Sequence, residues 1–291
     1  MLTESPNARS AQLDTLPTLE ILRIINEEDQ TVALAVQLAL PQIARAVEAV
    51  VAAFEAGGRL FYVGAGASGR TGVIDAVECL PTYSVPPERV QGVLAGGEAA
   101  MMRSIEGAED DYDQGGRDLA ARGLARSDVV IGIAASGKTP YTLGALAYAR
   151  SLGCVTVGIS CNQPAPLLEA ADIPIALLTG PEVVAGSTRM KAGTAQKMTL
   201  NMISTASMVR LGKVYGNLMV DVQPTNHKLV ERSLRIIAQV AGVDRAAAER
   251  LLEASGRRVK LAIVMARLNV SAEEGQRLLE AAGGHLRKVI G

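Results

Sequence analysis

A chain of 291 residues with a formal charge of −1 and 48% hydrophobic residues is long enough for one large domain and a small one, and its charge balance favours neither nucleic acid nor an anionic membrane as a partner. Residues 1–16 are polar and lack the apolar core of a signal peptide, and no apolar run approaches a membrane span, so the chain reads as cytoplasmic. Cys79, Cys154 and Cys161 form no CxxC pair, and no His, Cys and carboxylate residues cluster at ligand spacing, which points to reduced, buried thiols and argues against a metal site.

Helical periodicity opens the chain over residues 18–56. Leu19, Leu22 and Ile25, then Val32, Val36, Leu40 and Ile43, recur at steps of three and four until Gly57-Gly58 ends the run. Short apolar runs suited to buried strands follow at 60–63, 90–94, 129–133, 155–159 and 173–177, most of them separated by helical patterns such as 141–151. This alternation predicts an α/β domain, a parallel sheet sandwiched by helices. Beyond Gly216 the pattern is helical throughout, at 225–241, 245–255, 257–268 and 272–281, broken by Gly256, Asn269 and Gly283-Gly284. The expected organisation is an N-terminal helical segment (1–51), a ligand-binding α/β domain (52–216) and a small C-terminal helical subdomain (217–291).

Three junctions concentrate the chemistry. The first predicted strand runs into Gly64-Ala65-Gly66-Ala67-Ser68-Gly69-Arg70, the third into Ala135-Ser136-Gly137-Lys138-Thr139-Pro140, and Gly186-Ser187-Thr188-Arg189-Met190-Lys191 opens a later helix. Each sets hydroxyl, glycine and cation where free backbone N–H groups and a helix dipole favour an anion. In a parallel sheet such junctions lie beyond the carboxyl ends of the strands, where ligands bind. The candidate contacts are Ser68, Gly69, Arg70, Ser136, Gly137, Lys138, Thr139, Ser187, Thr188, Arg189 and Lys191, although each hydroxyl taken alone also suits ordinary helix capping. Gly64, Gly66 and Gly69 match the dinucleotide fingerprint, but the acidic residue expected about 20 residues on is only Glu88, in a Pro-rich turn. Three Ser/Thr-rich anion sites fit a phosphorylated sugar better than a pyrophosphate.

On these junctions the chain resembles the sugar isomerase (SIS) fold, and within it the N-acetylmuramic acid 6-phosphate etherase family. The resemblance extends through Asp75-Ala76-Val77-Glu78-Cys79, Ala95-Gly96-Gly97-Glu98, Glu106-Gly107-Ala108-Glu109-Asp110 and residues 186–197 and 212–222, and so spans nearly the whole chain. It departs at Ala67, where the family pattern has threonine, and at Lys138, where it has arginine; lysine keeps the charge but gives up the bidentate phosphate fork. The resemblance implies a lyase that removes D-lactate from carbon 3 of the sugar phosphate, a homodimer with sites near the subunit interface, and neither a metal nor an organic cofactor. It implies that the open-chain aldehyde acidifies the proton on carbon 2, that Glu109 removes it, and that Glu78 protonates the departing ether oxygen. Two carboxyl groups in different protonation states fit such a division of labour.

The residues themselves lend each carboxylate some support. Glu78, expected at a helix end beside Cys79-Leu80-Pro81, has an apolar setting, and Glu109 sits in the acidic run Glu109-Asp110-Asp111. Glu98 and Glu182, each near glycine in a predicted loop, are competing candidates that local chemistry does not separate from them. Two other functions share the fold: an aldose–ketose isomerase, and a non-catalytic sugar-phosphate sensor of the glucokinase regulatory type.

Overall fold

The computed structural model describes residues 1–291, which form two compact units: Met1–Val77 with Glu88–Ser204, and Glu78–Pro87 with Thr205–Gly291. The first unit begins with three 3-10 turns (Leu2–Glu4, Ala8–Ser10, Leu13–Thr15) and helices α1 (Thr18–Asp29), α2 (Val32–Leu38) and α3 (Leu40–Glu55). On α3 the buried residues Ile43, Ala46, Val47, Val50, Val51 and Phe54 fall three and four apart, the spacing that puts them on one face. Residues 1–51 thus lie in the same unit as the sheet.

After α3 the chain alternates: β1 (Leu60–Gly64), α4 (Gly66–Tyr83), β2 (Val90–Leu94), α5 (Ala99–Met102), α6 (Tyr112–Ala121), β3 (Val129–Ile133), α7 (Pro140–Ser151), β4 (Val155–Ser160), α8 (Pro166–Ala170), β5 (Ile173–Ala176) and α9 (Lys191–Arg210). The five strands are parallel in the order β2-β1-β3-β4-β5, as the alternating pattern predicts. The strands β1 and β3 are buried at every position, because helices cover both faces of the sheet, and this is why they appear in the sequence as unbroken apolar runs. Under α6 and α7, Phe61, Val63, Leu119, Val130, Tyr141, Ala145 and Leu146 form one core cluster.

The second unit takes in the end of α4, the end of α9, and α10 (His227–Ala241), α11 (Arg245–Ala254), α12 (Val259–Leu268), α13 (Ala272–Ala281) and α14 (Leu286–Ile290). Asn226, Asp244 and Ser271 cap α10, α11 and α13 by accepting from Leu229, Ala247 and Glu274 N–H groups. Its core contains Leu229, Ile237, Leu252, Ile263, Val264 and Leu279. Buried Lys260 ties three segments together by donating to Asp221 and to the carbonyls of Gly212 and Gly284. No single helix of the chain is long and apolar enough to cross a membrane.

Candidate active site

Parallel strands end at a common edge: Gly64 pairs with Leu94 on one side and Ile133 on the other, and Ile133 pairs with Ile159. The first two junctions therefore emerge side by side. In the first, Ser68 lies already inside α4 and its hydroxyl makes no hydrogen bond to the protein. Arg70 is directed to structure instead, donating to the carbonyls of Ala100 at 2.8 Å and Arg103 at 3.2 Å and so holding the short turn α5.

In the second junction Ser136 Oγ accepts from Lys138 N–H at 3.1 Å, closing a tight turn. Gly137 has φ +67°, and a Cβ there would stand 2.5 Å from Ala165 Cβ and 2.6 Å from Ser160 Oγ, so only glycine brings the backbone this close. Thr139 occupies the N-cap position of α7, yet its side chain caps nothing. Lys138 is exposed and forms no ion pair.

The third junction corrects one expectation. Lys191, expected to meet the ligand, is 2% exposed, and its ammonium lies 2.6 Å from Glu28 Oε2. Burial pushes the Glu28 carboxyl up, but hydrogen bonds from Lys191 and Asn7 and the charges of Lys191 and Arg9 outweigh it and hold the group below its ordinary value. The α9 N-terminus is capped by fully buried Glu182, whose two oxygens accept from the N–H groups of Lys191 and Ala192, each at 2.9 Å. Ser187 and Thr188 are thereby relieved of capping; both are half-buried and neither hydroxyl has a protein partner. Arg189 beside them is exposed without an ion pair. Helix capping thus does not account for the hydroxyls of Thr139, Ser187 or Thr188.

Of the two carboxylates, Glu109 lies in the turn before α6, and its carbonyl accepts from Tyr141 N–H at 3.0 Å, which ties that turn to the start of α7 beside the second junction. The acidic run around it is broken up: Asp111 caps α6 through Gln114 N–H and pairs with Arg117 at 3.0 Å. Glu78 is not at a helix end, because α4 continues through Pro81 to Tyr83, and its side chain is exposed although Cys79 next to it is buried. The apolar enclosure expected around Glu78 is therefore not found: its side chain faces solvent. Of the competing candidates, Glu182 is consumed as the α9 cap, whereas Glu98, at the start of α5, is exposed as Glu78 and Glu109 are. All three cysteines are free and buried, and burial above all pushes the thiols of Cys154 and Cys161 up to about 11 and about 12, with the charges of Asp128 and Glu182 adding to it.

Sequence reasoning missed Glu28, Asn162 and Thr3, and took Glu182 for a loop carboxylate instead of a helix cap. The contact between Asn162 and Thr3 joins residues 159 positions apart, which no local pattern encodes.

The family model described as the glucokinase regulatory protein N-terminal SIS domain matches residues 42–150, and the SIS domain model matches residues 113–206. An N-acetylmuramic acid 6-phosphate etherase from Aeromonas hydrophila subsp. hydrophila is 54% identical over 286 residues, covering 98% of this chain and 96% of its own. Another, from Edwardsiella ictaluri, is 54% identical over 290 residues, covering 100% of this chain and 97% of its own. A solved phosphoheptose isomerase from Francisella tularensis superposes with a TM-score of 0.50 at 18% identity, covering 67% of this chain and 100% of that one, a likeness of fold.

Proposed function

The chain belongs to the N-acetylmuramic acid 6-phosphate etherase family, and from that premise we propose that it is a carbon–oxygen lyase cleaving the D-lactyl ether of N-acetylmuramic acid 6-phosphate, with Glu109 as base and Glu78 as acid. The observation that carries the ligand assignment is the set of hydroxyls at three junctions, Ser68, Thr139, Ser187 and Thr188, that have no protein partner and cap no helix. With the free cations Lys138 and Arg189 they suit a phosphate and the hydroxyls of a sugar. Arg70 and Lys191 serve that site indirectly, by holding the loops.

An unactivated ether resists hydrolysis because an alkoxide leaves poorly. Opening the sugar to its aldehyde acidifies the proton on carbon 2. Glu109 takes that proton, the electron pair moves to form the carbon 2–carbon 3 double bond, and the carbon 3–oxygen bond breaks as Glu78 protonates the departing lactate. Water then adds to the unsaturated aldehyde, giving N-acetylglucosamine 6-phosphate. Each carboxyl contributes roughly 10²–10⁴-fold as general acid or base. In this reading the enzyme works in the cytoplasm on sugars recovered from bacterial cell walls. It does so as a homodimer, supported by the exposed apolar side chains of Leu19, Leu22, Leu34 and Leu38 on α1 and α2.

Solvent exchange separates the two roles. In deuterated water Glu109→Gln should abolish both lactate release and exchange at carbon 2. Glu78→Gln should stop lactate release yet retain exchange, because the aldehyde alone stabilises the carbanion. The opposite pattern would reverse the roles, and full lactate release by both variants would remove the pair from catalysis and favour a sugar-phosphate sensor.

A further inference from the structure

The second and third junctions are joined by a buried bridge that neither contains. Asn162, 3% exposed just after β4, donates from Nδ2 to the carbonyl of Ala135 and to Thr3 Oγ1, each at 2.9 Å. Its Oδ1 accepts from Thr3 N–H at 3.2 Å, and the Thr3 carbonyl accepts from Gly186 N–H at 3.1 Å. Thr3 itself is fully buried. The bridge therefore grips each loop at the residue immediately before its serine, Ala135 before Ser136 and Gly186 before Ser187. Neighbouring contacts strengthen the arrangement: Ser10 Oγ donates to the Val183 carbonyl at 2.6 Å, and Cys161 N–H donates to the same Ala135 carbonyl at 3.0 Å.

We infer that Thr3 and Asn162 are positioning residues that set the separation between the Ser136 and Ser187 loops, so that both engage one sugar phosphate at once. Two loops closing on a single anion must be held within a fraction of an ångström of the productive geometry. Hydrogen bonds spanning 159 residues of sequence are a direct means of doing so, since no local turn fixes the distance between the loops. The inference rests on the reading that these loops hold the substrate.

The test measures KM and kcat for N-acetylmuramic acid 6-phosphate, and competitive inhibition by inorganic phosphate, in Thr3→Val, Asn162→Ala, Ser136→Ala and Ser187→Ala, with the Ser136→Ala/Ser187→Ala pair repeated in the Asn162→Ala background. Loss of one bridging hydrogen bond in Thr3→Val should raise KM about two- to tenfold, and loss of three in Asn162→Ala about ten- to fiftyfold, with kcat within about threefold of the parent. Phosphate inhibition should weaken in parallel. The effects of the two serine substitutions, coupled in the parent, should become independent once Asn162 is removed. Should Asn162→Ala fail to fold, Thr3→Val, which keeps size and removes only an acceptor, decides the matter. Unchanged KM in folded Thr3→Val, or serine coupling that survives in Asn162→Ala, overturns the bridge. Unchanged KM in both serine variants would instead overturn the assignment of the loops.

Discussion

The Lys191 ammonium and Glu28 carboxylate stabilise the fold only as a pair, because each is nearly excluded from water. Lys191→Met should lower stability by about 2–4 kcal/mol, by leaving the buried Glu28 carboxylate with only the exposed Arg9, 3.2 Å away, as its cation, measurable as a shift in urea midpoint. A loss below about 1 kcal/mol would show that the pair is not buried in solution. The pH dependence has a definite sign. The folded carboxyl of Glu28 lies below its ordinary value of 4.5, so its contribution is complete above that value and disappears as pH falls through the lower, folded one. Glu28→Gln should therefore lose stability at pH 7 and show a flatter decline in acid than the parent. At this scale the sequence was informative about residue type and silent about partners. Ser, Thr and Lys near glycine signalled an anion site, but nothing near Lys191 signalled that its charge would be neutralised by a residue 163 positions away.

Among the elements, α9 depends on a cap supplied from outside its own sequence neighbourhood. Glu182 stands nine residues before Lys191, too far for the usual capping spacing, so it resembled a loop carboxylate in the sequence. Glu182→Ala should cost about 2–4 kcal/mol, by leaving two N–H groups at a buried helix start without an acceptor, and thermal unfolding would register it. A melting temperature equal to the parent's would exclude the cap. Strands were legible because burial on both faces leaves a continuous apolar run, and all five lie within one residue of their expected bounds. The helix α6 was not legible, since Gly115-Gly116 interrupts its pattern. The structure gives the reason: a Cβ on Gly115 would stand 2.1 Å from the Tyr141 carbonyl, so the glycines permit α6 to pack closely on α7. The end of α4 was also misplaced, because a proline normally marks a helix boundary whereas Pro81 lies within this one.

Over the whole molecule, the sheet edge and the three junctions follow from alternating strand and helix and from the side of a parallel sheet on which ligands bind. The assignment of a leaving lactate does not follow from those features, which an isomerase or a sensor would share. It comes from the etherase relatives, 54% identical along nearly the full chain, and from the pairing of Glu78 with Glu109 that the family pattern implies. Chemistry on the whole substrate is therefore the decisive level. The most direct measurement is incubation of the purified protein with N-acetylmuramic acid 6-phosphate, and in parallel with unphosphorylated N-acetylmuramic acid, with enzymatic detection of free D-lactate. Stoichiometric D-lactate from the phosphorylated sugar, and release slower by at least about a hundredfold from the other, is the result expected if three hydroxyl-rich junctions grip the phosphate. Equal turnover of the two sugars would contradict the phosphate assignment, and no lactate from either would contradict the lyase itself.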